Sequence, residues 1–302
     1  MWSSVESVRT TVRKVLGVQG DAKRQYKNKS LYREPRMAGV DYFEDLPDGL
    51  TEFKDWEPCR VDGPIKPLIL SDVHIPFHNP ALKVALRHGK KEGCNAVILN
   101  GDIIDCHELS KFLKDPRKRV FGEEIRVLRM LMDAIRKEFG KSARIIYKLG
   151  NHEERYIHFL IRQAPVFLDI PEFDFKEIMR LDEYGVELVG EKRPIALGKL
   201  NVIHGHEYNF PIANPVNAAR GFFLRAKSHC LGGHLHQSSQ HSEKNIEGLV
   251  VSTWSTGCLC DLHPEYRPIN SWNHGFAIVN VDKDGSFEVE NFRIINGKPY
   301  RG

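Results

Sequence analysis

Five short clusters carry the chemistry of this chain: Asp72-Val73-His74, Gly101-Asp102, Gly150-Asn151-His152-Glu153, His204-Gly205-His206 and Gly233-His234-Leu235-His236. Hard and borderline divalent cations take imidazole, carboxylate and amide oxygen as ligands, and a site for two such ions needs about seven of them, with one carboxylate able to bridge. The clusters supply that set. Asp72 and His74 stand two residues apart, so on an extended segment both side chains leave the same side and can grip one ion together. Asp102 follows a glycine that permits a tight turn, and its two oxygens can be shared between neighbouring ions, which makes it the expected bridge. Asn151 adds an amide oxygen without adding charge. His152, beside it, is better placed for a substrate than for a metal.

Elements that bring such residues together are legible around them. Each cluster follows a short apolar run, at residues 67–70, 96–99, 145–149, 200–203 and 230–231. Runs of this length bounded by turn residues read as strands, and side chains leaving successive strand ends converge on one edge of a sheet, where open α/β sheets hold ligands. Residues 80–93 have helical character, and 123–139 form an amphipathic helix with Ile125, Leu128, Leu131, Ile135 and Phe139 on one stripe and Gly140 as its stop. Residues 157–184, rich in aromatics and acids and interrupted by Pro165 and Pro171, read as a helical or irregular insertion that caps the site. Short strands at 248–252, 275–280 and 286–292 follow His236 without intervening helices and are expected to form a second sheet packed on the first.

Taken singly, each cluster is weak: a histidine or aspartate at a strand end is more often a satisfied polar residue than a ligand. In this order they resemble the five-part signature of the calcineurin-like metallophosphoesterases, D-x-H, G-D, G-N-H-D/E, a histidine at a strand end, and G-H-x-H, from about residue 67 to residue 236. The chain is similar in this to prokaryotic and phage members of that family. The resemblance implies a four-layer α/β/β/α sandwich with two packed mixed sheets. It implies that Asp72, His74 and His236 hold one ion, that Asn151, His204 and His234 hold the other, and that Asp102 bridges them. It gives His152 the role of contacting the phosphate or protonating the leaving oxygen, with Asp105 orienting it. The implied reaction is phosphoester hydrolysis by a metal-bridging hydroxide. The ligand types favour Mn²⁺, with Fe, Zn²⁺, Ni²⁺ or Mg²⁺ as alternatives. Protein Ser/Thr phosphatases of the family carry Arg-Gly where this chain has Cys106-His107, which counts against that activity.

Other polar residues read less sharply. Arg155 is a helix-surface arginine or a phosphate clamp, with the former favoured. His206 and Glu207 either support the ligands or lie in a loop, and His78, His107, His158 and His241 read as surface or structural.

With 302 residues, 41% of them apolar and 28% charged, the chain fits a soluble globular α/β domain with attachments. No apolar run approaches the ~18 residues of a membrane span, and the first twenty residues lack the apolar stretch of a secretory signal, so a cytoplasmic protein is expected, or one of the host cytoplasm if phage-encoded. The six cysteines form no C-x-x-C pair and are expected to stay reduced, with Cys258 and Cys260 as packing residues. Residues 1–50 read as a basic, partly helical arm preceding a phosphoesterase domain at 51–302. Residues 1–37 hold nine Lys or Arg against three acids, a charge of +6, so the +4 of the whole chain leaves −2 for the rest. The arm carries Val5, Val8, Val12 and Leu16 at helical spacing, and Tyr26 and Tyr32 among its basic residues. Such a segment can track a phosphate backbone and stack on bases; it can equally be a solvated tail or a subunit contact. The expectation is a phosphodiesterase acting on nucleic acid or nucleotides, with DNA or RNA as partner. A phosphomonoesterase, with the cap enclosing a small substrate, and a non-catalytic metal-binding module are the alternatives.

Overall fold

The computed structural model describes residues 57–112, 121–190, 192–208 and 216–302, together with residues 8 and 10. The chain divides into Met1–Asp55 and Trp56–Gly302, and the arm read from the sequence lies outside the described residues but for those two positions. Strands β1 (Cys59–Val61) and β2 (Pro67–Leu70) lead to helix α1 (Ala81–Lys91), β3 (Ala96–Asn100), helix α2 (Phe121–Phe139) and β4 (Arg144–Lys148). Helices α3 (Glu154–Gln163) and α4 (Phe175–Met179) precede β5 (Val186–Val189), β6 (Ile195–Leu197) and β7 (Leu200–Val202). Helix α5 (Ala218–Ala226) is followed by β8 (Cys230–Gly232), β9 (Ser239–Lys244), β10 (Val250–Ser255), β11 (Gly275–Val281), β12 (Phe287–Ile295) and β13 (Lys298–Arg301).

The apolar strands are buried on both faces, and their period of two sorts successive side chains into two cores. Leu68, Leu70, Val97, Leu99, Ile145 and Tyr147 face helices α1 and α2, while Ile69, Ile98 and Ile146 face the second sheet. Helix α2 answers with Leu128, Leu131, Met132 and Ile135, spaced so that one stripe is buried, and Gly140 at φ 88° ends it. Between the sheets, Ala277, Val279 and Val281 join those isoleucines against Val61, Ile195, Leu197, Leu200, Val202, Leu231 and Trp254. On the far side Ala218 and Phe222 of α5 pack on Ile203, Cys230 and Leu235. The layers therefore run helix, sheet, sheet, helix.

One sheet has the order β13-β12-β11-β2-β3-β4-β5, parallel from β2 to β5; the other has the order β1-β6-β7-β8-β10-β9. This corrects the reading of the C-terminal strands as a sheet of their own. Strands β9 and β10 extend the second sheet beside β8, whereas β11 pairs antiparallel with β2 and takes β12 and β13 into the first. Alternation of apolar residues marks a strand but not its partner. The segment after α3 contains 3-10 turns at Pro165–Phe167, Pro171–Phe173 and Leu181–Tyr184 around the short α4. Among the described residues no helix is long and apolar enough to cross a membrane.

Candidate metal centre

The nine residues singled out in the sequence sit where chain leaves β2, β3, β4, β7 and β8, at one edge of the two sheets. Asp72 and His74 are not extended, as their spacing suggested. Both adopt left-handed backbone, with φ 55° and 49°, and so do Asp102 (53°), His234 (65°) and His236 (57°). This conformation costs an L-residue roughly 1–2 kcal/mol, and it persists where surrounding bonds dictate it. Here Asp72 N donates to Gly101 O (3.1 Å), His74 N to Asp102 O (2.9 Å) and Leu259 N to Asp72 O (2.9 Å). The first two cross-links hold the first two clusters to each other.

Three motif glycines leave room for ligand atoms. A Cβ on Gly101 would lie 2.5 Å from His204 Nδ1, one on Gly150 2.5 Å from Asp102 N, and one on Gly233 2.6 Å from Asp72 Oδ2. A methyl group at any of the three positions would push a ligand candidate out of place.

Asp102 Oδ2 is the point of convergence. It lies 3.3 Å from His204 Nε2, 3.7 Å from His152 Nε2 and 3.9 Å from His74 Nε2, while Asp102 Oδ1 accepts from His152 N at 2.9 Å. On one side, His74 Nε2 is 3.4 Å from His236 Nε2, which is itself 3.1 Å from Asp72 Oδ1. Opposite, His204 packs against His234 with ring centroids 5.2 Å apart. Asp102, His204 and His234 form one cluster of candidate donor atoms, His74, Asp102 and His152 a second, and Asp102 belongs to both. A third joins His74 and His236 to Cys260, whose Sγ is 4.0 Å from His236 Nδ1. All six cysteines are free, and Cys258 and Cys260 are both buried.

The donor chemistry fits two divalent cations. Asn151 Oδ1 and His204 Nε2 are buried without a hydrogen-bond partner, the 3.3 Å approach of the latter to Asp102 lacking hydrogen-bond geometry. Burial would raise the carboxyls of Asp72 and Asp102, but His236 on the first, and His152 and His204 on the second, hold them well below the usual range. Burial would likewise lower His204 and His236, yet Asp102 and Asp72 respectively push them up to about 10. His234 is pushed down to about 4 by burial and by the charge of His204, which leaves it a neutral donor. Two buried carboxylates balanced by imidazoles draw cations, and metal binding to such a set releases protons.

Glu207, read from the sequence as a ligand support or a loop residue, and several residues that the sequence reading gave no role hold this arrangement. The Glu153 carboxylate, 2% exposed, accepts from Asp102 N (2.9 Å), Ile103 N (2.7 Å), Ile104 N (3.3 Å), Gly150 N (2.8 Å) and Tyr147 Oη (2.8 Å). Ser71 Oγ lies 2.6 Å from Asp72 Oδ2. Lys148, buried, places Nζ 2.8 Å from Glu207 Oε1, and Glu207 accepts from His204 N (3.1 Å) and Gly205 N (2.6 Å). Glu207 thus belongs to the supports. Glu124 of α2 accepts from Cys106 N (2.6 Å) and His107 N (3.1 Å), and burial pushes its carboxyl up to about 8. The only sequence signal for Glu124 was an acid on a helix, while Glu153 stood inside a quoted motif.

Asp105 reaches both histidines on its side of the site. Its Oδ1 is 2.9 Å from His152 Nδ1 and 2.9 Å from His74 Nδ1. Burial would raise it, but hydrogen bonds from His107, His152 and His74 hold it well below the usual carboxylate range. His107 therefore borders the site, and the surface reading of Arg155 is also corrected. Arg155 Nη1 donates to Asp105 O (2.8 Å), and its Nη2 lies 2.9 Å from His152 Nε2. Helix α3 begins at Glu154, so its first turn aims Arg155 back at the residues that precede it.

Residues 65–255 match the sequence pattern of the calcineurin-like phosphoesterases, a span that contains every converging donor but Cys260. The chain belongs to this family. As a calcineurin-like phosphoesterase it is a metal-dependent hydrolase of phosphoesters, and the family implies divalent ions as cofactor. Similar solved structures include a Vps29 single mutant from Entamoeba histolytica, at 13% identity over 79% of this chain and 98% of that chain (TM-score 0.39). Others are Yfce, a phosphoesterase from E. coli (15%, 74% and 96%, 0.37), and a dimetal phosphatase from Danio rerio (12%, 77% and 96%, 0.38). A search of curated proteins gives no match.

Proposed function

We propose that this phosphoesterase is a phosphodiesterase for nucleic acid or nucleotides, with one ion held by Asp72, His74 and His236, the other by Asn151, His204 and His234, and Asp102 shared. The convergence of three imidazole Nε2 atoms within 3.9 Å of Asp102 Oδ2 carries the shared-ligand reading. Four imidazoles, two carboxylates and one amide suit Mn²⁺ better than Mg²⁺. When bound, two divalent ions supply activation of a water for attack on phosphorus and neutralise charge on the phosphoryl oxygens.

The chain's own groups do the rest. His152 donates Nδ1–H to Asp105, which fixes the ring and stabilises the imidazolium, and Nε2 then delivers a proton to the leaving oxygen. Arg155 occupies Nε2 at 2.9 Å, so a bound phosphate takes over that guanidinium. Among the described residues Arg155 is the one arginine or lysine that hydrogen-bonds to these site groups. A single cationic side chain suits the one negative charge of a diester better than the two of a monoester. The +6 of residues 1–37 supports a polyanionic substrate.

The test is hydrolysis by the Mn²⁺-loaded protein of a diester dye, a monoester dye, single-stranded and duplex DNA, and RNA. Turnover of the diester and at least one nucleic acid above the monoester is expected. Turnover of the monoester alone puts the monoesterase in its place, and turnover of none points to a binding module.

A further inference from the structure

The chain between Cys260 and Asn273 forms a loop tied to itself and to the edge of the metal centre. Asn270 Nδ2 donates to Leu262 O (2.7 Å) and Arg267 O (2.8 Å), and Asn270 Oδ1 accepts from Trp272 N (2.9 Å). His263 Nδ1 meets Pro268 O at 3.0 Å. Asn273 N donates to His236 O (3.0 Å), and Asn273 Oδ1 accepts from Ser238 N (2.9 Å), so the end of the loop is fixed to the segment that carries His236.

These bonds hold three side chains beside the site. The Trp272 ring lies 4.1 Å from that of His236, the Arg267 guanidinium sits 5.9 Å from the Trp272 ring centre, and Tyr266 is 6.4 Å from Trp272 at 64°. Tyr266 is 76% exposed, more than packing of so large a ring requires. An exposed aromatic face, a second ring packed on the candidate ligand His236 and a guanidinium are the parts from which single-stranded nucleic-acid sites are made.

We propose that Tyr266 and Trp272, backed by Arg267, form a shelf on which a nucleobase next to the scissile phosphate stacks, so that the enzyme selects phosphodiesters that carry a base. This rests on the nucleic-acid reading above and adds to it the residues that recognise the substrate. Stacking on a ring face is indifferent to base identity, so the shelf confers preference for a base over none and little preference among bases.

The experiment compares kcat/KM of the Mn²⁺-loaded full chain on a single-stranded DNA oligonucleotide and on the same oligonucleotide with abasic tetrahydrofuran residues around the scissile phosphate. The wild type should favour the base-bearing strand by roughly 5- to 150-fold, the range expected for one stacked base. Tyr266→Ala should cut that ratio at least fivefold, mainly through KM, and Tyr266→Phe should keep it. Tyr266 is the residue to change first because Trp272 packs on His236; Trp272→Phe and Trp272→Ala follow, with metal content measured beside activity. If the wild type cleaves both strands alike, or Tyr266→Ala keeps the full preference, the shelf is wrong and the phosphodiesterase reading stands. If the wild type cleaves neither strand yet hydrolyses a monoester, both fall.

Discussion

Replacing Glu153 by glutamine preserves the side chain's shape and reverses the hydrogen-bonding sense of one of its two terminal atoms. Oε1 accepts from Ile103 N, Ile104 N and Tyr147 Oη, and Oε2 from Asp102 N and Gly150 N. Whichever way the amide turns, its NH₂ faces at least two buried donors. The less costly orientation puts NH₂ against Asp102 N and Gly150 N. Each buried donor left without an acceptor costs ~1–3 kcal/mol, so the substitution should destabilise the protein by about 2–6 kcal/mol, a large part of the ~5–15 kcal/mol that holds an ordinary domain folded. The two stranded donors belong to the cluster that carries Asp102 and to the turn before Asn151. Metal affinity should therefore fall by about 10- to 100-fold, the scale seen when a group orienting a ligand is lost. Urea denaturation of metal-free wild type and Glu153→Gln gives the first quantity and Mn²⁺ titration the second. Tyr147→Phe, which removes one donor and strands none, is the control and should cost only about 1 kcal/mol. A Glu153→Gln protein within ~0.5 kcal/mol of wild type and with equal affinity would refute this account of the Asp102 turn.

Two further outcomes follow from the site. Burial would raise Glu207, but Lys148, His204 and His206 outweigh it and hold the carboxyl down at about 2, against an ordinary value of 4.5. A carboxyl lowered in the folded state stabilises above its unfolded pKa and loses that contribution as pH falls through the window from 4.5 to 2. Acid unfolding of Glu207→Gln should thus depend less on pH in that window, by roughly 3 kcal/mol in all, and equal profiles would show that the Lys148 pair contributes no linkage. His152→Ala should keep its metal and lose ~10²–10⁴ in kcat, the scale of a missing general acid; metal analysis and steady-state kinetics on one preparation decide it, and loss of metal with full activity at metal excess would make His152 structural.

The strand runs were legible because both-face burial leaves a continuous apolar stretch: residues 67–70 and 96–99 match β2 and β3 to within one residue. Helix α2 was legible because its stripe repeats and Gly140 ends it. Partnering was not, since β10 and β11 both read as short strands yet serve different sheets. In the site, residue types at strand ends pointed to the converging donors, but not to the left-handed backbone that aims Asp72 and His74. That conformation is imposed by bonds to Gly101 O and Asp102 O, about thirty residues away. Arg155 was misplaced because helical periodicity places a face, while the first turn of α3 is set by what precedes it. Glu153 and Glu207 act through backbone amides, a role that leaves no mark on spacing.

The central claim is that Asp102 is shared by two ions, and metal stoichiometry tests it most directly. Wild type and Asp102→Ala, reconstituted with Mn²⁺, dialysed together and analysed by mass spectrometry, should hold about two equivalents and close to none, because the variant removes a ligand from both ions at once. An Asp102→Ala protein that retains two equivalents of metal would contradict the shared site.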